Sequence, residues 1–158
     1  MSIRFILLLM FTLCLSAQEL TTAPDFTLKN FDLKKITLSE KLKKTPVLVS
    51  FWASWCEPCK KEMLVLSDLA IKYQDKFKII LIAADKGNAM AAARKYIKDK
   101  KYKFEAVFDN EGEIYPQYSD KNTLPVSFIV GTDGKILWQK TGAGTKSEFE
   151  EQIKKVLD

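Results

Sequence analysis

Cys56 and Cys59 stand three residues apart in Trp55-Cys56-Glu57-Pro58-Cys59-Lys60, directly after an apolar run and at the start of a helical pattern. Two sulfurs at that spacing can close a small disulfide with little backbone movement. A helix N-terminus carries unpaired N–H groups and the positive end of the helix dipole. The Cys56 thiol there should ionise nearer neutral pH than the free value of about 8.5, which makes it the candidate nucleophile. Cys59, one turn inside the helix and less accessible, suits the resolving role: it attacks the mixed disulfide and releases the reduced partner. It must first lose its proton.

Glu62 is the candidate carrier of that proton. At about 100° per residue, with Cys59 as zero, Leu66, Ala70 and Met63 fall within roughly 40°, and Tyr73 and Leu69 at roughly −40° and −80°. Glu62 falls at about −60°, inside this apolar arc, whereas Lys61, Asp68 and Asp75 take the opposite face. A carboxylate buried there would have its pKa raised by desolvation and could serve Cys59; the plainer alternative is a glutamate at the edge of the stripe that reaches water. Glu57 beside Cys56 should disfavour the thiolate and shift the pair toward a reductant, although the helix N-terminus stabilises Glu57 too. Pro58 lacks an N–H and fits the first helical turn. Trp52 and Trp55 either shield and present the sulfurs or simply pack.

The chain has 158 residues, 47% of them hydrophobic and 28% charged, with 25 Lys and Arg against 20 Asp and Glu and no His. That length and composition fit one globular domain with a real core. The formal charge of +5 is too small and too dispersed to argue for nucleic acid. Without His, imidazole bases and most zinc sites are excluded, and Lys60 stands where a c-type haem site needs its axial His. No metal and no cofactor beyond the cysteine pair is expected. A purely structural disulfide would constrain so short a loop little. Residues 1–17 read as a signal peptide: Arg4, an apolar run from Phe5 to Leu15, then Ser16-Ala17. The run is too short for a spanning helix, which needs about twenty residues, so an exported, periplasmic or extracytoplasmic domain 18–158 is expected, membrane-tethered if the signal stays uncleaved. Cys14 would leave with the signal.

Strands and helices alternate along the rest. Phe26–Leu28 and Ile36–Leu38 read as a peripheral hairpin or edge pairing, Pro46–Ala53 as a strand buried on both faces, Lys60–Tyr73 as a helix and Phe77–Ala84 as a buried strand. Ala89–Lys100 favours helix and Phe104–Phe108 strand, and Pro116 interrupts a short helical pattern over Glu113–Tyr118. Val126–Val130 and Lys135–Gln139 flank Thr132-Asp133-Gly134 as an antiparallel hairpin. Ser147-Glu148-Phe149-Glu150 has the capping-box pattern, with Phe149, Ile153 and Val156 striping a terminal helix.

The segment Phe51-Trp52-Ala53-Ser54-Trp55-Cys56-Glu57-Pro58-Cys59-Lys60-Lys61-Glu62 resembles the thioredoxin superfamily, and within it the exported TlpA/ResA-like thiol–disulfide oxidoreductases. Ala23-Pro24-Asp25-Phe26-Thr27-Leu28, the helix near Ala89–Lys100, and Leu124-Pro125 before a strand and its Asp133-Gly134 turn agree with that branch. The resemblance covers about residues 23–157. It implies an α/β thioredoxin fold, a central mixed sheet flanked by helices with an N-terminal β extension and an inserted helix. It also implies that Pro125 is cis and lies against the cysteine pair, so that Trp55, Pro58, Leu124 and Pro125 shape the surface where a client chain docks, and it assigns the acid to Glu62. From the residues alone Pro125 could equally start a strand in trans. Ser50 stands where cytoplasmic thioredoxins carry a buried aspartate.

The function implied is reduction of protein disulfides by a monomeric enzyme, with apocytochrome c as a client and a membrane thiol–disulfide transporter as its source of electrons. Three alternatives stay open: a disulfide oxidase or isomerase, a binding module with a structural disulfide, and a peroxidase. Ala23-Pro24-Asp25-Phe26 is also how peroxiredoxins begin, but those enzymes want Thr or Ser where Ala53 stands.

Overall fold

A computed structural model describes residues 22–158. The signal segment 1–17, with Cys14, lies outside the described residues. One mixed sheet of seven strands runs through the molecule: β1 (Thr27–Asn30), β2 (Lys35–Thr37), β3 (Val47–Trp52), β4 (Lys78–Ala83), β5 (Glu105–Phe108), β6 (Val126–Val130) and β7 (Ile136–Thr141), in the spatial order β2-β1-β5-β4-β3-β6-β7. The helices are α1 (Leu38–Leu42), α2 (Glu57–Lys72), α3 (Ala89–Lys100), α4 (Tyr115–Tyr118) and α5 (Lys146–Leu157).

β3 is buried along its whole length because it is central, parallel to β4 on one side and antiparallel to β6 on the other. Its alternating side chains feed two cores. Leu48 and Trp52 join Met63, Leu66 and Leu69 of α2, Ala93 of α3, and Phe149 and Ile153 of α5 on one face of the sheet. Val47, Val49 and Phe51 join Leu38 and Leu42 of α1 and Tyr118 of α4 on the other. At roughly 1.5–3 kcal/mol for each large apolar side chain removed from water, the first layer supplies the main force that fixes α2 against β3, and the second holds α1 and α4 on the opposite face. The loop between them, Ala53–Cys56, is thereby held at the C-terminal end of the central strand.

The expected β hairpin at the N-terminus is present at the sheet edge, with Leu28 opposite Ile36, and β1 also pairs antiparallel with β5. Three expectations need correction. Leu38 does not end a strand but opens α1, because the Asp25 carboxylate accepts from both the amide (2.9 Å) and the hydroxyl (2.7 Å) of Ser39 and turns the chain there. Pro116 does not break a helix at Glu113–Tyr118; it sits in the first turn of α4, where its missing N–H costs nothing. The cap of α5 is Thr145 and not Ser147. The Thr145 hydroxyl accepts from the Glu148 amide at 3.3 Å, while the Glu148 carboxylate accepts from the Thr145 amide at 2.7 Å, a capping box two residues earlier than the Ser147 pattern.

The β6–β7 hairpin forms as expected, the turn closed by the Gly131 amide on the Lys135 carbonyl at 2.9 Å and by Gly134 at φ +81°. Among the described residues, no helix is long and apolar enough to cross a membrane.

Candidate active site

α2 begins at Glu57, earlier than the apolar periodicity alone suggests, with Cys56 as its N-cap and Pro58 in its first turn. Cys56 and Cys59 form a disulfide with an S–S distance of 2.03 Å and a Cα–Cα distance of 5.3 Å. The Cys56 sulfur also accepts from the Cys59 amide at 3.3 Å, so one donor of the first helical turn points at this sulfur. That is the arrangement in which a thiolate would gain from the helix dipole once the bond is reduced. Cys59 is the more enclosed of the two, although both are largely buried.

Glu62 lies one turn beyond Cys59 and is only 2% exposed, so its carboxylate stays inside and does not reach water. Its Oε2 accepts from the Gly144 amide at 2.8 Å, and Ser50 Oγ donates to its Oε1 at 3.3 Å. The Ser127 hydroxyl lies 2.9 Å from Ser50 Oγ and 3.4 Å from Glu62 Oε1. Ser50 and Ser127 are direct cross-strand partners on β3 and β6. Burial pushes the Glu62 carboxyl above its ordinary value, and the Gly144 amide and the two serine hydroxyls pull it only partly back. A carboxyl whose pKa lies closer to neutrality is better matched to exchanging a proton with a thiol.

Glu57 behaves differently. It is exposed, and the Lys60 ammonium 2.6 Å away holds its carboxyl below the usual range. Its negative charge beside Cys56 is therefore answered by a cation of the same turn. Lys60 itself is part-covered and lies 5.3 Å from the centre of the Tyr96 ring. Trp52 packs in the core against Tyr96, whereas Trp55 is 68% exposed at the tip of the reactive loop. Pro58 is exposed beside it. The Leu124–Pro125 bond is cis. The register Phe51 to Val126 puts Pro125 at the end of the sheet where the chain turns into Cys56, and Leu124 lines a cleft together with Trp55.

Sequence reasoning missed Asp85, Ser127 and Gly144. Asp85, in the loop after β4, is fully enclosed, and its carboxylate accepts from the Ser54 amide at 2.9 and 3.1 Å and from the Ser54 hydroxyl at 2.5 Å. It ties the segment before Cys56 to the neighbouring loop. Single serines inside the apolar strands Val47–Trp52 and Val126–Val130 were a readable signal, since a buried hydroxyl needs a partner. Ala53 is enclosed and presents only a methyl group. Among the described residues, no cluster of Cys, Asp and Glu could hold a metal ion.

The AhpC/TSA family model matches residues 20–139. Over 134 residues the chain is 36% identical to the thiol–disulfide oxidoreductase ResA of Bacillus thuringiensis subsp. konkukian, spanning 85% of this chain and 76% of that protein. This chain belongs to the AhpC/TSA family, among its ResA-like members. ResA of Bacillus subtilis is 30% identical over 87% of this chain and 75% of its own length. A Chlorobium tepidum protein provisionally named thiol:disulfide interchange protein DsbE superposes with a TM-score of 0.79 at 29% identity, covering 89% of this chain and 98% of that one. StoA of Bacillus subtilis superposes at 0.70 with 26% identity, over 83% and 97% of the two chains. The fold of this ResA-like protein is accordingly thioredoxin-like, and its activity is thiol–disulfide exchange of the ResA and DsbE type.

Proposed function

We propose that the protein is an exported reductant of protein disulfides. The observation that carries this reading is the Cys56–Cys59 pair at the start of α2 with the buried Glu62 carboxyl, its pKa raised by burial, one turn further on. In the reduced enzyme the Cys56 thiolate attacks one sulfur of a client disulfide, forming a mixed disulfide and releasing one client thiolate. The Cys59 thiol passes its proton toward Glu62 and attacks the Cys56 sulfur. The Cys56–Cys59 disulfide forms, the second client thiol leaves, and two electrons have moved to the client. Asp85 holds the Ser54–Cys56 segment during both attacks, and Trp55, Pro58, Leu124 and Pro125 present the surface on which the client chain lies.

Export is supported by the signal pattern of residues 1–17, and an oxidising compartment gives a reductant both work and the need to be recharged. The resemblance to ResA-like enzymes supports apocytochrome c as a client and a membrane thiol–disulfide transporter as the electron source. The reduction potential of residues 18–158, equilibrated against glutathione or dithiothreitol, tests the direction of flow. A value near −270 mV, the thioredoxin range, is expected; one near −120 mV, the range of DsbA, would make the protein an oxidant and overturn the proposal.

A further inference from the structure

Beside the reactive loop lies an open cleft of about 400 Å³ walled by Trp55, Ala84, Lys86, Ala89, Tyr115 and Leu124. Its Trp55 and Lys86 walls are tied together by a clamp one residue back along each loop. Ser54 is bonded three times to Asp85, and the next residue along each loop, Trp55 on one side and Lys86 on the other, lines the cleft. The apolar part is an exposed indole facing a leucine side chain and two alanines, a surface that gains by covering an apolar group.

Lys86 is the one charged residue of the lining. Among the described residues, it forms no salt bridge. It is nevertheless not a freely waving side chain. Its stem lies over Gly112, where an added Cβ would stand 3.2 Å from Lys86 Cε, and Gly112 at φ +70° belongs to a turn whose amides bond the buried Asp109 carboxylate. The absent side chain at Gly112 is what gives the lysine its bed. Glu111 and Glu113 flank Gly112 in the chain, yet neither forms a salt bridge with Lys86. The cleft therefore presents one positive charge without an ion pair next to an apolar floor, and Trp55, the residue before the nucleophile, forms part of that floor.

We infer that this cleft selects clients by the residues around the attacked cysteine: an apolar side chain seats against Trp55 and Leu124, and a carboxylate flanking the cysteine seats against Lys86. The inference rests on the reading of protein disulfides as substrates and makes Lys86 a specificity residue for them. An acidic segment is favoured over a basic one both in steering and in contact, and the effect weakens with salt because the pair is solvent-exposed.

The test uses three peptides, each as a mixed disulfide with glutathione, with Leu on one side of the cysteine and Glu, Gln or Lys on the other. Their kcat/KM values are measured with the reduced wild-type protein and with the reduced variants Lys86→Met and Lys86→Glu. Because the flanking residue alters the peptide thiol itself, the readout is the Glu-to-Lys preference of each protein, with Lys86→Met as the reference. At low salt that preference is expected to be about three- to fivefold higher in the wild type than in Lys86→Met, and lower by a similar factor in Lys86→Glu, the spread narrowing at high salt. The same preference in all three proteins overturns the inference. A wild-type protein that reduces none of the peptides removes the protein-disulfide reading, and this inference with it.

Discussion

Replacing Glu62 by Gln removes a charge while leaving nearly everything else in place. The glutamine Oε1 can still accept from the Gly144 amide, now 2.8 Å from Glu62, and its Nε2 can donate to the Ser50 or Ser127 hydroxyl. What changes is the pH dependence. Burial raises the Glu62 pKa above its ordinary value of 4.5, so the folded protein holds the proton more tightly than the unfolded chain does. The stability that the protonated side chain contributes is whole below about pH 4.5 and is lost as pH rises through the folded value. For a single proton the loss is at most about 1.4 kcal/mol per pH unit in that window, and above it the loss is constant. Urea unfolding of the oxidised wild-type and Glu62→Gln proteins between about pH 4 and pH 8 isolates the carboxyl, because no active-site thiol titrates in the disulfide form. The variant should gain stability relative to the wild type as pH rises from about 4.5, then run parallel to it. A difference that is flat from the start would refute the desolvated carboxyl. In the reduced proteins, the same change should shift the pH profile of Cys59 alkylation; superimposed curves would remove Glu62 from the proton path.

Three further substitutions probe the scaffold of the site. Asp85→Leu leaves the Ser54 amide and hydroxyl without their enclosed acceptor and should cost about 1–3 kcal/mol in urea unfolding, whereas Asp85→Asn, which keeps an acceptor, should recover most of it. Thr145→Ala should destabilise by about 1 kcal/mol and Ser147→Ala by less than about 0.5 kcal/mol in the same assay, since only Thr145 caps α5. Gly144→Ala places a Cβ 2.5 Å from Phe149 Cε2 and should cost about 1–3 kcal/mol through overpacking, while displacing the amide that bonds Glu62.

The elements that hold the redox pair were legible because each announces itself locally. Val47–Trp52 is a run of apolar residues broken only by Ser50, α2 carries its apolar arc at helical spacing, and the two cysteines mark the start of the helix. Glu62 could be assigned to the buried face for the same reason, since helical angle alone puts it between Met63 and Leu69. The partners of Glu62 were not legible. Gly144 comes 82 residues later and Ser127 comes 65 later, and only the pairing of β6 against β3 and the docking of α5 bring them in. Asp85 was hidden likewise: it follows β4 by two residues, and its bonds run to Ser54, 31 positions back. The misplaced α1 and α5 starts have a local cause, because strand alternation carries on to Leu38 and both Thr145 and Ser147 satisfy the capping pattern. The contacts that decide them, Asp25 to Ser39 and Thr145 to Glu148, appear only once the chain is folded.

The most direct measurement on the exchange chemistry is the capture of a client by a protein that lacks its resolving sulfur. Reduced Cys59→Ser protein, mixed with a disulfide-bonded client such as insulin and run without reductant, should accumulate a covalent adduct through Cys56 that dithiothreitol releases. Cys56→Ser should give none. A Cys59→Ser protein that forms no adduct, or a Cys56→Ser protein that forms as much, would contradict the assignment of Cys56 as the attacking sulfur and Cys59 as the one that resolves.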